Sequence, residues 1–270
     1  MTEKALAEGR FAGRVALVTG AGGPHGIGFS TARILGAGGA TVAIASTTDR
    51  IHERVAELAA DGVPATGHVG DLTVPGAAAR LIADVLAAHG GRLDILVNNA
   101  GMVTVGEAEV SNPVLEMTDE EWDRGIAQNL RIPFAVTKAA LPALVASGHG
   151  RIVFVSSVTG PIVSNPASTV YSAAKAGIMG LVRGLAIEVG PRGVTVNAVL
   201  PGWIASGSQL IHEAIGGGNT PLGRSGTPRE VGEVIAFLAS DAASYVTGQG
   251  VIVDGGNTIQ EFKGPREAWY

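Results

Sequence analysis

Residues 15–33 read VALVTGAGGPHGIGFSTAR. The first five are apolar or β-branched, the composition of a strand buried on both faces. From Phe29 the pattern becomes helical. Between the two lies a glycine-rich stretch, Gly20 to Gly28, broken by one proline. Such a turn gathers backbone N–H groups and the positive end of a helix around an anion, and glycine lets the anion approach with no Cβ in the way. A tight strand–helix connection without a ligand has the same local signature. The strict G-x-G-x-x-G spacing is absent, because five residues separate Gly20 from Gly26 and only Ile27 separates Gly26 from Gly28. The rest of the chain has to decide.

Short β-rich runs alternate with helical ones throughout. Strands are read at 14–19, 41–45, 66–69, 93–98, 151–156, 194–200 and 250–256. Helices are read at 29–38, 50–60, 76–89 and 171–189, with a long helical region at 121–144 interrupted by Pro133. This alternation implies right-handed βαβ crossovers: an α/β, doubly wound (Rossmann) fold, with a seven-stranded, mostly parallel sheet and helices on both faces. Ligands of such sheets bind at the carboxyl ends of the strands. No composition break marks a linker and no repeat appears, so one domain is expected over 13–256. Residues 1–12 would be an extension and 257–270 a tail.

The chain has 270 residues, 46% hydrophobic and 16% charged, enough to bury a large core. It has no cysteine, which excludes disulfides, thiolate chemistry and cysteine metal sites. The net charge is −5 and no basic cluster carries interleaved aromatics, so neither nucleic acid nor an anionic membrane is an expected partner. The N-terminal MTEKALAEGRFAGR has charges where a signal peptide needs an apolar core. No run is read as approaching a membrane span of about 18 apolar residues, so a cytoplasmic protein is expected. The histidines at 25, 52, 68, 89, 149 and 212 are scattered, and no metal site is expected.

Four further motifs follow the glycine loop in order. NNAG occupies 98–101 after a strand; a serine pair, Ser156 and Ser157, follows RIVFV; YSAAK spans 171–175; PGW begins at Pro201 after VNAVL. Together with the loop, they resemble the short-chain dehydrogenase/reductase family over about residues 13–256. The family loop reads T-G-x-x-x-G-x-G, and this chain has two extra residues between the first two glycines. Gly20, Gly26 and Gly28 take the three glycine positions, with Ile27 between the last two.

Tyr171 and Lys175 are four residues apart, hence neighbours on one helix face. A phenol ordinarily titrates near pH 10, and an adjacent ammonium favours the phenolate and brings it toward the working range. An isolated Y-x-x-x-K is more often an ordinary helix surface. The resemblance implies the catalytic assignment: Tyr171 exchanges a proton with a carbonyl or alcohol, and Lys175 tunes it and holds the nicotinamide ribose. Ser157 bonds the substrate oxygen, with Ser156 as its rival, and Asn129 completes a proton relay. Enoyl-thioester reductases of the family space their tyrosine and lysine seven apart, unlike this chain.

The resemblance also implies a nicotinamide dinucleotide. An acidic residue ending the second strand binds an unphosphorylated ribose. Here Ser46 and Thr47 stand at that point, Asp49 comes late, and Arg50 follows. NADP(H) is therefore favoured over NAD(H), with His25, in the slot where many relatives carry a basic residue, expected to bulge toward the 2′-phosphate. Asp71 and Leu72 match the family's adenine pair. Asn98, Ala100 and Gly101 match the adenine-ribose side and the cofactor floor. Pro201, Gly202, Ile204 and Ser206 match the segment that binds the carboxamide. Residues 203–219 would form a mobile substrate loop, with Trp203, Leu210, Ile211 and His212 indicating an apolar ketone. The resemblance points to a 3-oxoacyl-thioester reductase or general carbonyl reductase, assembled as a homotetramer. The alternatives are an NAD-dependent secondary alcohol or sugar dehydrogenase and a non-catalytic dinucleotide-binding regulator.

Overall fold

A computed structural model describes residues 9–101 and 110–264. Residues 1–8 of the extension and 265–270 of the tail lie outside the described residues. Elements run β1 (Val15–Thr19), α1 (Ile27–Ala37), β2 (Thr41–Ser46), α2 (Ile51–Ala60), β3 (Ala65–Val69), α3 (Ala77–Ala88), β4 (Ile95–Asn98) and α4 (Asp119–Ile126). After a π turn (Ala127–Arg131) come α5 (Ile132–Ala146), β5 (Arg151–Val155), α6 (Thr169–Val189), β6 (Thr195–Pro201), α7 (Ile211–Gly218), α8 (Pro228–Leu238) and β7 (Gly250–Val253).

The seven strands form one parallel sheet ordered β3-β2-β1-β4-β5-β6-β7. Each central strand is apolar on both faces, as parallel strands under two helical layers must be. In β1, Val15 and Leu17 face the core beneath α3, α5 and α6, while Ala16 and Val18 face the core beneath α1, α2 and α8. Strand order reverses between β1 and β4. The crevice that this topology opens therefore lies where Gly20 and Asn98 end their strands.

Three readings of the sequence need correction. Phe11, assigned to the extension, is fully buried and its N–H bonds the Gly38 carbonyl (2.7 Å), so the domain begins earlier than residue 13. Residues 203–219, read as a mobile substrate loop, contain a helix, α7, despite three consecutive glycines. The break in the long helix is the π turn at Ala127–Arg131, which runs without a gap into α5; Pro133 lies just past it and, having no N–H, cannot continue the hydrogen-bond ladder back to that turn. Thr169–Arg192 is moreover long and apolar enough to cross a membrane by length and composition, with mean hydropathy 1.2. Its Ile178, Val182, Ala186 and Val189 pack into the core beside β6.

Candidate active site

The loops after β1 and β4 are stitched together at the switch point. The Asn99 side-chain amide donates to the Thr19 and Gly20 carbonyls, both at 3.0 Å. The Thr19 hydroxyl accepts from the Asn99 and Ala100 N–H groups at 3.1 Å. Gly20 has φ 68°, the left-handed region that only glycine enters freely, and a Cβ there would fall 2.8 Å from the Ala100 Cα. A Cβ on Gly28 would fall 2.5 Å from the Asn99 amide. Gly26 caps α1 in extended conformation without any side-chain hydrogen bond, leaving the first-turn N–H groups for an anion. This cradle fits a dinucleotide pyrophosphate.

Sequence reasoning missed Asn99, which holds the cradle, and favoured Asn98. The Asn98 side chain turns away from the crevice floor: it is 3% exposed and donates to the Thr137 hydroxyl of α5 (2.8 Å). Strand alternation supplies the missing signal, since consecutive residues at a strand end face opposite ways.

At the adenosine end, a Cβ on Gly22 would lie 2.8 Å from both the Arg50 Nε and the Ser46 Cβ. The exposed Arg50 thus stands against the glycine loop at the N-terminus of α2, where an anion is favoured. Ser46 is buried, its hydroxyl donating to the Thr48 carbonyl (2.8 Å), Thr47 is exposed, and the buried Thr48 Oγ1 has no hydrogen-bond partner. A cavity of about 510 Å³ opens beyond, lined in part by Ala45, Gly70, Asp71, Leu72 and Leu81. Asp71 accepts from the Thr73 N–H and hydroxyl, which shapes the turn after β3.

The catalytic candidates converge at the ends of β4 and β5. The chain enters α6 through Ala167, whose left-handed φ of 58° is a strained conformation for alanine. Tyr171 follows in the first turn, and Lys175 lies one turn on, its Nζ 5.4 Å from the Tyr171 ring centroid. Lys175 is 4% exposed and its Nζ donates to the Val155 carbonyl (3.2 Å). Burial lowers its pKa from 10.5 to about 8. A Cβ on Gly101 would lie 3.2 Å from the Asn129 Oδ1 and 3.6 Å from the Lys175 Nζ, so these three positions meet. Asn129 belongs to the π turn, and its Nδ2 donates to the Gly125 carbonyl (3.2 Å).

The two serines have separate tasks. The Ser156 hydroxyl donates to the Lys175 carbonyl (2.9 Å), fastening α6 to the end of β5. The Ser157 Oγ accepts from the Thr159 N–H (3.0 Å) and keeps its own proton to donate. Val158 N–H bonds the Pro201 carbonyl (3.0 Å) and Gly202 N–H bonds the Val253 carbonyl (3.0 Å), which aligns the Ser157 and Pro201 loops.

In the segment after Pro201, Ile204 bridges to Gly226, and the Ser206 hydroxyl pairs with that of Ser208 (3.1 Å). The Trp203 ring packs on α7, where a Cβ on Gly216 would lie 2.7 Å from its Cε2. Leu210 and Ile211, read as pocket residues, are mostly exposed at 53% and 84%. The glycine-loop extension also differs from expectation. Gly22 is the loop residue against Ser46 and Arg50, whereas His25 turns its carbonyl to the Gly207 N–H (3.3 Å).

Known proteins resemble this chain over most of its length. A family model described as enoyl-(acyl carrier protein) reductase matches residues 20–258. The oxidoreductase UcpA of Escherichia coli K12 is 37% identical over 268 residues, covering 94% of this chain and 97% of that protein. The 3-oxoacyl-[acyl-carrier-protein] reductase FabG of Pseudomonas aeruginosa is 40% identical over 250 residues, covering 90% and 97%. The crystal structure of a dehydrogenase/reductase from Sinorhizobium meliloti 1021 superposes with a TM-score of 0.86 at 32% identity, covering 95% and 99%. With the glycine loop, the paired serines and the Tyr171–Lys175 turn on one crevice, this chain belongs to the short-chain dehydrogenase/reductase family and is an oxidoreductase that works with a nicotinamide cofactor.

Proposed function

We propose that the enzyme interconverts a ketone and a secondary alcohol, with NADP(H) as its cofactor and a 3-oxoacyl thioester or related β-keto compound as the carbonyl substrate. The observation that carries this reading is the buried Lys175 ammonium one helical turn from Tyr171, beside Gly101 and Asn129. When bound, the nicotinamide supplies or accepts the hydride. Tyr171 gives its proton to the carbonyl oxygen during reduction and recovers it during oxidation. Lys175 favours the phenolate left behind. The Ser157 hydroxyl donates to the same substrate oxygen and fixes its position. Asn129 holds the far end of the relay that returns the proton to Tyr171. The four-residue spacing of Tyr171 and Lys175 favours carbonyl over enoyl chemistry. The likeness to a 3-oxoacyl reductase supports the substrate class.

Arg50 against Gly22, with Ser46 in place of an acid, supports the phosphorylated cofactor, and the exposed Thr47 completes its phosphate side. Pro201, Gly202, Ile204 and Ser206 hold the carboxamide end. The proposed assembly is a homotetramer, with the exposed Phe134 of α5 and Ile187 of α6 available for contacts between copies.

The test combines a substrate panel with one substitution. β-Ketothioesters and β-ketoesters should consume NADPH faster than cyclic ketones or sugars. Turnover of sugars or alcohols with NAD alone would overturn the reading. Arg50→Ala should raise the KM for NADPH about tenfold, the effect of one charge-assisted phosphate bond, and leave that for NADH within about twofold. Equal effects on both would remove the case for the 2′-phosphate.

A further inference from the structure

The two-residue lengthening of the glycine loop has a structural counterpart on the far side of the crevice. His25, the last residue of the extension, accepts a hydrogen bond at its carbonyl from the Gly207 N–H (3.3 Å), and a Cβ on Gly207 would lie 3.6 Å from the His25 Cβ. The glycine loop leaves the sheet at β1, whereas Gly207 follows β6. In the sheet β4 and β5 lie between them, a separation of three strand spacings or about 14 Å. The contact therefore spans the strand ends that carry Gly101 and Ser157.

The extension is held at its base, where the Ala21 N–H bonds the Ala45 carbonyl (3.0 Å), and it turns back through the Gly26 N–H on the Gly23 carbonyl (3.2 Å). Its middle makes few demands on side chains. A Cβ on Gly23 would meet nothing within 4 Å, and Pro24 is exposed. What the two added residues provide is reach.

We infer that the extension is a positioning element, a backbone strap that fastens residues 206–208 across the crevice and retains the middle of the dinucleotide beneath it. The inference rests on the proposed reading that the crevice holds a dinucleotide. Ser206, next to the fastened Gly207, is the residue assigned to the carboxamide end, so the strap ties the two halves of the cofactor site together. Because the bond joins two backbone groups, loop length governs it and side-chain identity does not.

Removing Gly23 and Pro24 restores three residues between Gly20 and Gly26. In the cofactor-free enzyme, amide exchange at Gly207 should become about three- to tenfold faster in this variant, the range expected for one backbone hydrogen bond. Stopped-flow release of NADPH should accelerate by a similar factor, with the single-turnover rate at saturating NADPH and ketone unchanged within about twofold. A same-length variant, Gly23→Ser with Pro24→Ser, should match the parent in every measurement. The inference is overturned if Gly207 exchanges freely in the parent, if the shortened enzyme releases NADPH at the parental rate, or if the same-length variant behaves like the shortened one. Failure of every nicotinamide nucleotide to bind would instead overturn the functional reading, and the exchange measurement would still decide on the strap.

Discussion

Tyr171→Phe should lower kcat for ketone reduction by at least about a thousandfold while leaving the Kd for NADPH within about twofold. The substitution removes one oxygen and keeps the ring over which Lys175 lies. The helix, its tie to Ser156 and the glycine cradle are untouched, so nucleotide binding has no reason to change. The loss should therefore appear in kcat and kcat/KM alike, as for a group that acts only in the transition state. Retention of most of the activity would disprove the assignment of Tyr171 as proton donor.

Lys175→Met should be equally damaging to turnover and yet make the protein more stable at neutral pH. Burial holds the lysine pKa at about 8, against 10.5 for the free group. The unfolded chain thus binds this proton more tightly, and the buried ammonium disfavours folding by as much as about 3 kcal/mol. That penalty is fully present below about pH 8 and fades as pH rises toward 10.5, where the unfolded lysine also becomes neutral. Methionine fills similar space without charge, although the bond from Nζ to the Val155 carbonyl is lost. A net gain of about 1–2 kcal/mol at pH 7, shrinking by pH 10, should appear in denaturant titrations. A variant less stable than the parent at pH 7 would mean that the site accommodates the charge better than its burial implies. The same titration predicts that parental reduction slows as pH rises through about 8, because the ammonium is then lost.

The sheet was legible because every central strand carries apolar residues on both faces in a short run bounded by turn residues, as in Val15–Thr19 and Thr195–Pro201. The Tyr171–Lys175 turn was legible because helical spacing alone brings the two side chains together. What escaped depended on contacts distant in sequence. Helix α7 is hidden by Gly216, Gly217 and Gly218, poor helix formers, of which the first two are small enough to let Trp203 and Ser225 pack close. Pro133 marks where the long helix is disturbed, but it does not by itself announce that the turn before it is a π turn. The roles of Asn98 and Asn99 hinge on which face the last residue of β4 presents, and a shift of one residue exchanges them. The direction of the glycine-loop extension depends on Gly207, which lies 182 residues beyond His25.

The hydrogen bond from Ser156 to the Lys175 carbonyl also sets a tolerance. Catalytic groups borne on separate loops accumulate placement error along every bond between them and the scaffold. Here the fastening point, Ser156, and the hydroxyl proposed to hold the substrate oxygen, Ser157, are adjacent residues, one peptide unit or about 3.8 Å apart. The other end of the fastening is the backbone of Lys175 itself, one helical turn from the Tyr171 oxygen's own helix position. Thermal drift between strand β5 and helix α6 must then carry Ser157, Lys175 and Tyr171 together, so their mutual spacing is better conserved than the distance of any one of them from the rest of the sheet.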